Sequence, residues 1–148
     1  MFILFKVELV MENFNVVAAI IYHESRFLCA QRNESKYKYL SRKFEFPGGK
    51  VEDGESKEEA LRREIQEELN LNIEILSKFE SVDFSYPDFH VYITFFLCKI
   101  DSLENLIVTE HQKLLWLNKD ELSSLDWAAA DFPIVQKLKN MKILSNFI

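Results

Sequence analysis

The chain has 148 residues, 48% hydrophobic and 28% charged, which suits one compact domain with a full core and excludes a disordered chain. Its net charge of −6 argues against an electrostatic grip on a nucleic acid polymer or an anionic membrane, because both need a basic face. A small phosphorylated ligand held through cations stays open, since a bound cation reverses the sign of an acidic patch. Cys29 and Cys98 lie in apolar segments without Cys-x-x-Cys spacing. They read as buried thiols of a reducing compartment, not a zinc site. The opening "MFILFKVELVMENF" is broken by Lys6, Glu8 and Glu12 and has no small-residue cleavage site. It reads as neither signal peptide nor membrane span, so a cytoplasmic protein is expected.

In chain order, "FNVVAAIIY" (14–22) and "RFLCAQ" (26–31) read as strands joined by a polar turn at His23 to Ser25. Residues 33–43 read as a polar, basic loop, and 43–50 as a short extended piece ending in a turn at Gly48–Gly49. Ser56 to Leu69 is a predicted helix. Residues 73–86 and 89–100 form an expected antiparallel pair broken at "SYPDF". In 89–100, Val91, Ile93, Phe95 and Leu97 alternate with Tyr92, Phe96 and Cys98, so both faces are expected to be covered. A strand over 113–118, a short helix over 119–125 and an amphipathic helix over 131–144 complete the chain. The pattern predicts a single α/β domain over 1–148, a mixed β-sheet sandwiched between helices.

Eight carboxylates fall between Glu52 and Glu68. Ser56 with Glu59 three residues on makes a capping box, and Asn70 suits the left-handed residue that ends a helix. Leu61, Ile65 and Leu69 form the buried stripe. Glu64, Glu67 and Glu68 stand at i, i+3 and i+4 and converge on an adjacent face, with Arg63 on another side of the helix. Converging carboxylates suit Mg²⁺ or Mn²⁺, but a solvated acidic face fits them about equally. Glu58 and Glu59 are expected in ordinary i,i+4 pairs with Arg62 and Arg63.

Gly49, Glu55 and "REIQEELNL" (63–71) together resemble the Nudix box, G-x5-E-x7-R-E-U-x-E-E-x-G-U, where U is bulky and aliphatic. Asn70 stands where that pattern has Gly. The resemblance implies a Nudix fold and a hydrolase of nucleoside diphosphate derivatives. It implies metal ligands at Glu64, Glu67, Glu68 and the Gly49 carbonyl, and a brace between Arg63 and Glu55. Glu64 is also a candidate base for the attacking water. "MENFNVVAAII" (11–21), "FEFPGGK" (44–50) and "YPDFH" (86–90) are similar to the MutT-like branch, which cleaves nucleoside triphosphates to monophosphate and pyrophosphate. Glu110, six residues before Trp116, matches that branch's additional acid and is a further candidate ligand or base. The resemblance covers roughly residues 11–142; residues 1–10 fall outside it.

"LDWAAADFPIV" (125–135) resembles the segment where MutT-like enzymes present an Asn to oxidised guanine, and here Asp131 stands in that place. An ionised Asp only accepts, which points to an exocyclic amine such as cytosine N4; a protonated Asp would imitate Asn. Asp131 is equally a candidate N-cap of the last helix, with Pro133 in its first turn. Phe46 suits base packing or the core, and Arg32 and Lys50 suit phosphate contact or plain solvation. His23, His90 and His111 show no ligand spacing and no role is assigned to them.

The expected activity is a metal-dependent nucleoside triphosphate pyrophosphohydrolase leaning to cytidine or modified-base triphosphates. The alternatives are an 8-oxo-dGTP diphosphatase, a hydrolase of another nucleoside diphosphate derivative, and a non-catalytic nucleotide sensor. The expected partner is the small nucleotide alone. A monomer is the default, and the apolar residues 1–10 leave room for a dimer paired through an edge strand.

Overall fold

The computed structural model describes residues 11–141. In chain order they form β1 (Glu12–His23), β2 (Arg26–Arg32), β3 (Phe44–Glu45), β4 (Gly48–Lys50), α1 (Lys57–Leu69), β5 (Glu74–Ser85), β6 (Phe89–Lys99), β7 (His111–Leu117) and α2 (Phe132–Asn140). One mixed sheet runs β3-β2-β1-β6-β5, with β4 also pairing β1 and β7 also pairing β2. β1 and β6 are parallel from Glu12↔Phe89 to Tyr22↔Lys99 and form its spine.

The near-continuous apolar run of β1 reflects burial on both faces. Ala18 and Ile20 join Ile134, Val135 and Leu138 of α2 in one core. Val17, Ala19 and Ile21 join Ala60, Leu61, Ile65 and Leu69 of α1 in the other. Leu61, Ile65 and Leu69 are fully buried, and each such side chain contributes about 2 kcal/mol by leaving water. β1 turns into β2 through Glu24 and Ser25, both with positive φ (50° and 67°), a pair of values that matches the right-handed twist of a hairpin. Cys29 and Cys98 are free and fully buried in separate cores, and burial pushes both thiols up to about 12.

Several expectations need correction. Gly48–Gly49 is not a turn but part of β4, hydrogen-bonded to β1. A Cβ on Gly48 would lie 1.9 Å from the Val17 carbonyl oxygen, so glycine is required there by close strand approach. Residues 119–125 contain only a 3-10 turn at Leu122–Ser124. Tyr92 is not covered; it is 39% exposed, with the Lys57 ammonium over its ring. α2 ends at Asn140, and Met141 is already extended. The expectations for residues 1–10 and 142–144 lie outside the described residues. No helix of the described residues is long and apolar enough to cross a membrane.

Candidate active site

The acidic segment folds as a loop leading into α1. Ser56 Oγ accepts from the Glu59 amide and Glu59 accepts from the Ser56 amide at 2.9 Å, a closed capping box. The Glu59 carboxylate is thus committed to the cap. Glu58 forms no pair with Arg62, and Glu59 none with Arg63, which turns toward the incoming loop instead. Arg63 donates through Nε and Nη2 to both oxygens of Glu55, at 2.7 and 2.9 Å, and through Nη2 to the Lys50 carbonyl at 3.1 Å. Its Nη1 also reaches Glu64 at 2.9 Å and Glu67 at 3.5 Å. It is therefore not off the acidic face; its long side chain bridges the incoming loop and the helix. The Arg63 hydrogen bonds hold Glu55 down at about 2.

Beyond Arg63 the carboxylates differ. Glu67 is 59% exposed. Glu64 is mostly covered, and burial raises its pKa despite Arg63. A Cβ on Gly49 would sit 2.3 Å from the Glu64 carboxyl carbon, so this glycine lets the backbone of β4 touch that carboxylate. Glu68 is buried, and its Oε2 has no hydrogen-bond partner. Burial, then the charges of Glu45, Glu64, Glu110 and Glu67, push it up to about 9. Glu110 is brought near by the far end of α1. Thr109 donates its amide to the Glu68 carbonyl and its hydroxyl to the Glu67 and Glu68 carbonyls, and the Ile107 amide donates to the Leu69 carbonyl. Asn70 closes the helix in the left-handed conformation (φ 54°). Among the described residues no three His, Cys, Asp or Glu side chains already stand at metal-binding distance. Arg63 holds Glu64 and Glu67 to itself.

Glu68, Glu110, Gly49 and Lys50 line a cavity of about 750 Å³ that continues to Arg32, Phe46 and Asp131. The Lys50 ammonium lies 4.0 Å from the centre of the Phe14 ring. Phe46 is buried and stacks on Trp127, with ring centres 4.8 Å apart. Asp131 precedes α2 but makes no side-chain cap bond, so the capping expectation fails. Its Oδ2 instead accepts from the Phe46 amide at 2.9 Å. Burial, reinforced by the Glu45 charge, pushes the Asp131 carboxyl well above the usual range; the Phe46 amide and Arg32 only partly offset this.

Two cavity residues escaped the sequence reading. Glu45 accepts from Arg32 Nη1 at 2.8 Å and pairs through its other oxygen with His111 Nε2 at 2.9 Å. Burial alone would raise Glu45, but the His111 hydrogen bond and the Arg32 charge hold it below the usual range. His111, left without a role above, has a side chain only 2% exposed. The available signal was a lone carboxylate between Phe44 and Phe46, with a histidine directly after Glu110.

The NUDIX domain profile matches residues 12–138. The chain is 31% identical over 131 residues to the 8-oxo-dGTP diphosphatase of Escherichia coli (strain K12), covering 88% of this chain and 100% of that protein. It is 32% identical over 139 residues to the CTP pyrophosphohydrolase of the same organism, covering 85% and 91%. The solution structure of the MutT protein from methicillin-resistant Staphylococcus aureus 252 superposes with a TM-score of 0.68 at 37% identity, covering 88% of this chain and 98% of that one. Profile, relatives and fold agree, and the chain belongs to the Nudix hydrolase family, in its MutT-like branch.

Proposed function

We propose that the protein hydrolyses nucleoside triphosphates to monophosphate and pyrophosphate, with 8-oxo-dGTP favoured over cytidine triphosphates. The carrying observation is Asp131, buried at the cavity wall with Oδ2 tied to the Phe46 amide. Such a carboxyl favours its protonated form, and a protonated Asp offers one donor and one acceptor, as Asn does. That pair suits O6 and N7–H of oxidised guanine. An ionised acceptor would suit cytosine N4, but burial opposes it. Relatives named 8-oxo-dGTP diphosphatase support the same reading. The cytidine reading stays as the second, supported by the CTP pyrophosphohydrolase relative.

Nudix enzymes typically use a divalent metal, and the residues here fit one. Glu68 Oε2 is a buried carboxylate oxygen without a partner, beside Glu64, Glu67 and Glu110. These four and the Gly49 carbonyl would hold Mg²⁺ or Mn²⁺. A bound cation would neutralise phosphate charge and stabilise the oxyanions of hydrolysis. The chain's own contribution is positional. Arg63 ties Glu55, Glu64 and the Lys50 carbonyl together, which fastens the loop to the helix. Phe46 lines the cavity beside Asp131, with its ring backed by the buried Trp127, an apolar surface suited to a planar base. Arg32 and Lys50 present cationic groups at the same cavity. Water adds to a phosphorus of the triphosphate, the anhydride oxygen leaves with the other fragment, and Glu64 is the candidate to accept the proton released.

The test is pyrophosphate release with Mg²⁺ across CTP, dCTP, 5-methyl-dCTP, dGTP and 8-oxo-dGTP, for wild type and Asp131→Asn. Preference for 8-oxo-dGTP that survives in Asp131→Asn is the expected result. Preference for the cytosine compounds, lost in that variant, would transfer the reading to an ionised Asp131. Silence on all five would sink the triphosphate reading.

A further inference from the structure

Arg32 sits at an irregularity of the sheet. β2 pairs β7 in regular register from Phe27↔Leu117 to Gln31↔Lys113, and then slips, so that Arg32 faces His111. The extra residue, Gln112, is on β7, so the bulge brings His111 of that strand opposite Arg32. On the opposite edge of β2 lies β3, with Ala30↔Glu45 and Gln31↔Phe44. Glu45 reaches across β2 and bonds both residues at the slip, Arg32 Nη1 at 2.8 Å and His111 Nε2 at 2.9 Å. One carboxylate thus joins three strands at the point where the ladder fails.

The consequence falls on the guanidinium. With Nη1 committed to Glu45, Arg32 Nε remains buried and has no partner. A buried N–H without an acceptor is costly and asks for a ligand oxygen or water. The free Nε edge of an arginine presents donors in the fork that matches phosphate oxygens. Arg32, Glu45 and His111 all line the cavity that holds Glu68 and Asp131.

We propose that Glu45, backed by His111, is a positioning residue that locks Arg32 with its Nε edge turned to an anionic oxygen of the bound nucleotide. This rests on the reading of the cavity as a nucleotide site. Glu45 touches no substrate; it acts through Arg32. A lysine in place of Arg32 would lack the second edge and could not serve both Glu45 and the ligand.

The experiment compares Glu45→Gln, Arg32→Gln and the double variant on the triphosphate that wild type turns over best. Glu45→Gln should raise KM about tenfold and leave kcat within about threefold, the signature of lost ground-state binding. Arg32→Gln should do the same. The double variant should be no more than about twofold worse than Arg32→Gln, because the two residues act as one unit. Glu45→Asp keeps the charge but not the reach to both partners, and provides the same KM comparison if Glu45→Gln is unstable by thermal denaturation. Binding of deoxyguanosine monophosphate, followed by tryptophan fluorescence, decides the inference apart from turnover. Its affinity should fall by similar factors in Glu45→Gln and Arg32→Gln. An unchanged KM and affinity in a folded Glu45 variant, or multiplicative effects in the double variant, would overturn the inference. Failure of wild type on every triphosphate would instead count against the substrate reading, while the monophosphate comparison would still decide the role of Glu45.

Discussion

The two ends of the cavity each bury a carboxylic acid, and they treat it oppositely. Asp131 is 6% exposed and Glu68 8% exposed. Asp131 receives the Phe46 amide, so the protein itself supplies the partner and the acid becomes part of the wall. Glu68 receives nothing at Oε2 and is surrounded by the charges of Glu45, Glu64, Glu110 and Glu67. Arg63, on the same helix, spends its donors on Glu55, Glu64, Glu67 and the Lys50 carbonyl. Burial alone therefore does not say how an acid is used. In the proposed reading the built-in donor suits Asp131 to recognition, and its absence suits Glu68 to a cation.

The largest expected effect comes from breaking the acidic end. Glu68→Gln should lower kcat on the order of 10³-fold, the scale of losing one preorganised electrostatic group. Affinity for nucleoside monophosphate, measured in chelator, should stay within about threefold, since the base end is untouched. A monophosphate affinity that fell as steeply as turnover would erase the distinction between the two ends.

A second, smaller effect is in stability against pH without metal. Glu68 titrates at about 9 in the folded protein against an ordinary 4.5. Between these values the folded state binds a proton that the unfolded state has lost, so stability falls as pH rises. The contribution is full below 4.5 and gone above about 9. Thermal midpoints in chelator should therefore decline from pH 5 to 9, and less steeply in Glu68→Gln. Asp131 shifts in the same direction, so some slope should persist in that variant. A flat profile for the wild type would mean that Glu68 already has a partner.

The smallest effect sharpens the comparison by leaving both ends alone. Ser56→Ala removes the acceptor for the Glu59 amide and should cost about 1 kcal/mol in denaturant unfolding. KM should not change. A loss of activity larger than the loss of stability would mean that the cap also sets the loop holding Glu55.

Much of this was readable in advance where the information is local. The α1 boundaries, its cap, its buried stripe and the left-handed Asn70 all follow from spacing within one helix. The parallel pairing of β1 with β6 joins segments far apart in sequence, and no periodicity announces it. Tyr92 alternates correctly yet stays exposed, because alternation tells which face a residue occupies and not how far a helix extends over it. The Glu59–Arg63 pair failed because helix spacing counts neighbours on one helix, while Arg63 found better acceptors in the loop before it.

By itself the sequence determined the chemistry on offer: a run of carboxylates on a capped helix, a glycine pair just before it, and the Nudix box that includes them. Tertiary structure decided how each acid is partnered. It placed Asp131 against the Phe46 amide, left Glu68 without a donor, and drew Glu45 between Arg32 and His111. The physical reason is that a carboxylate's proton affinity and partners depend on what packs around it, and those neighbours come from strands and loops distant in the chain.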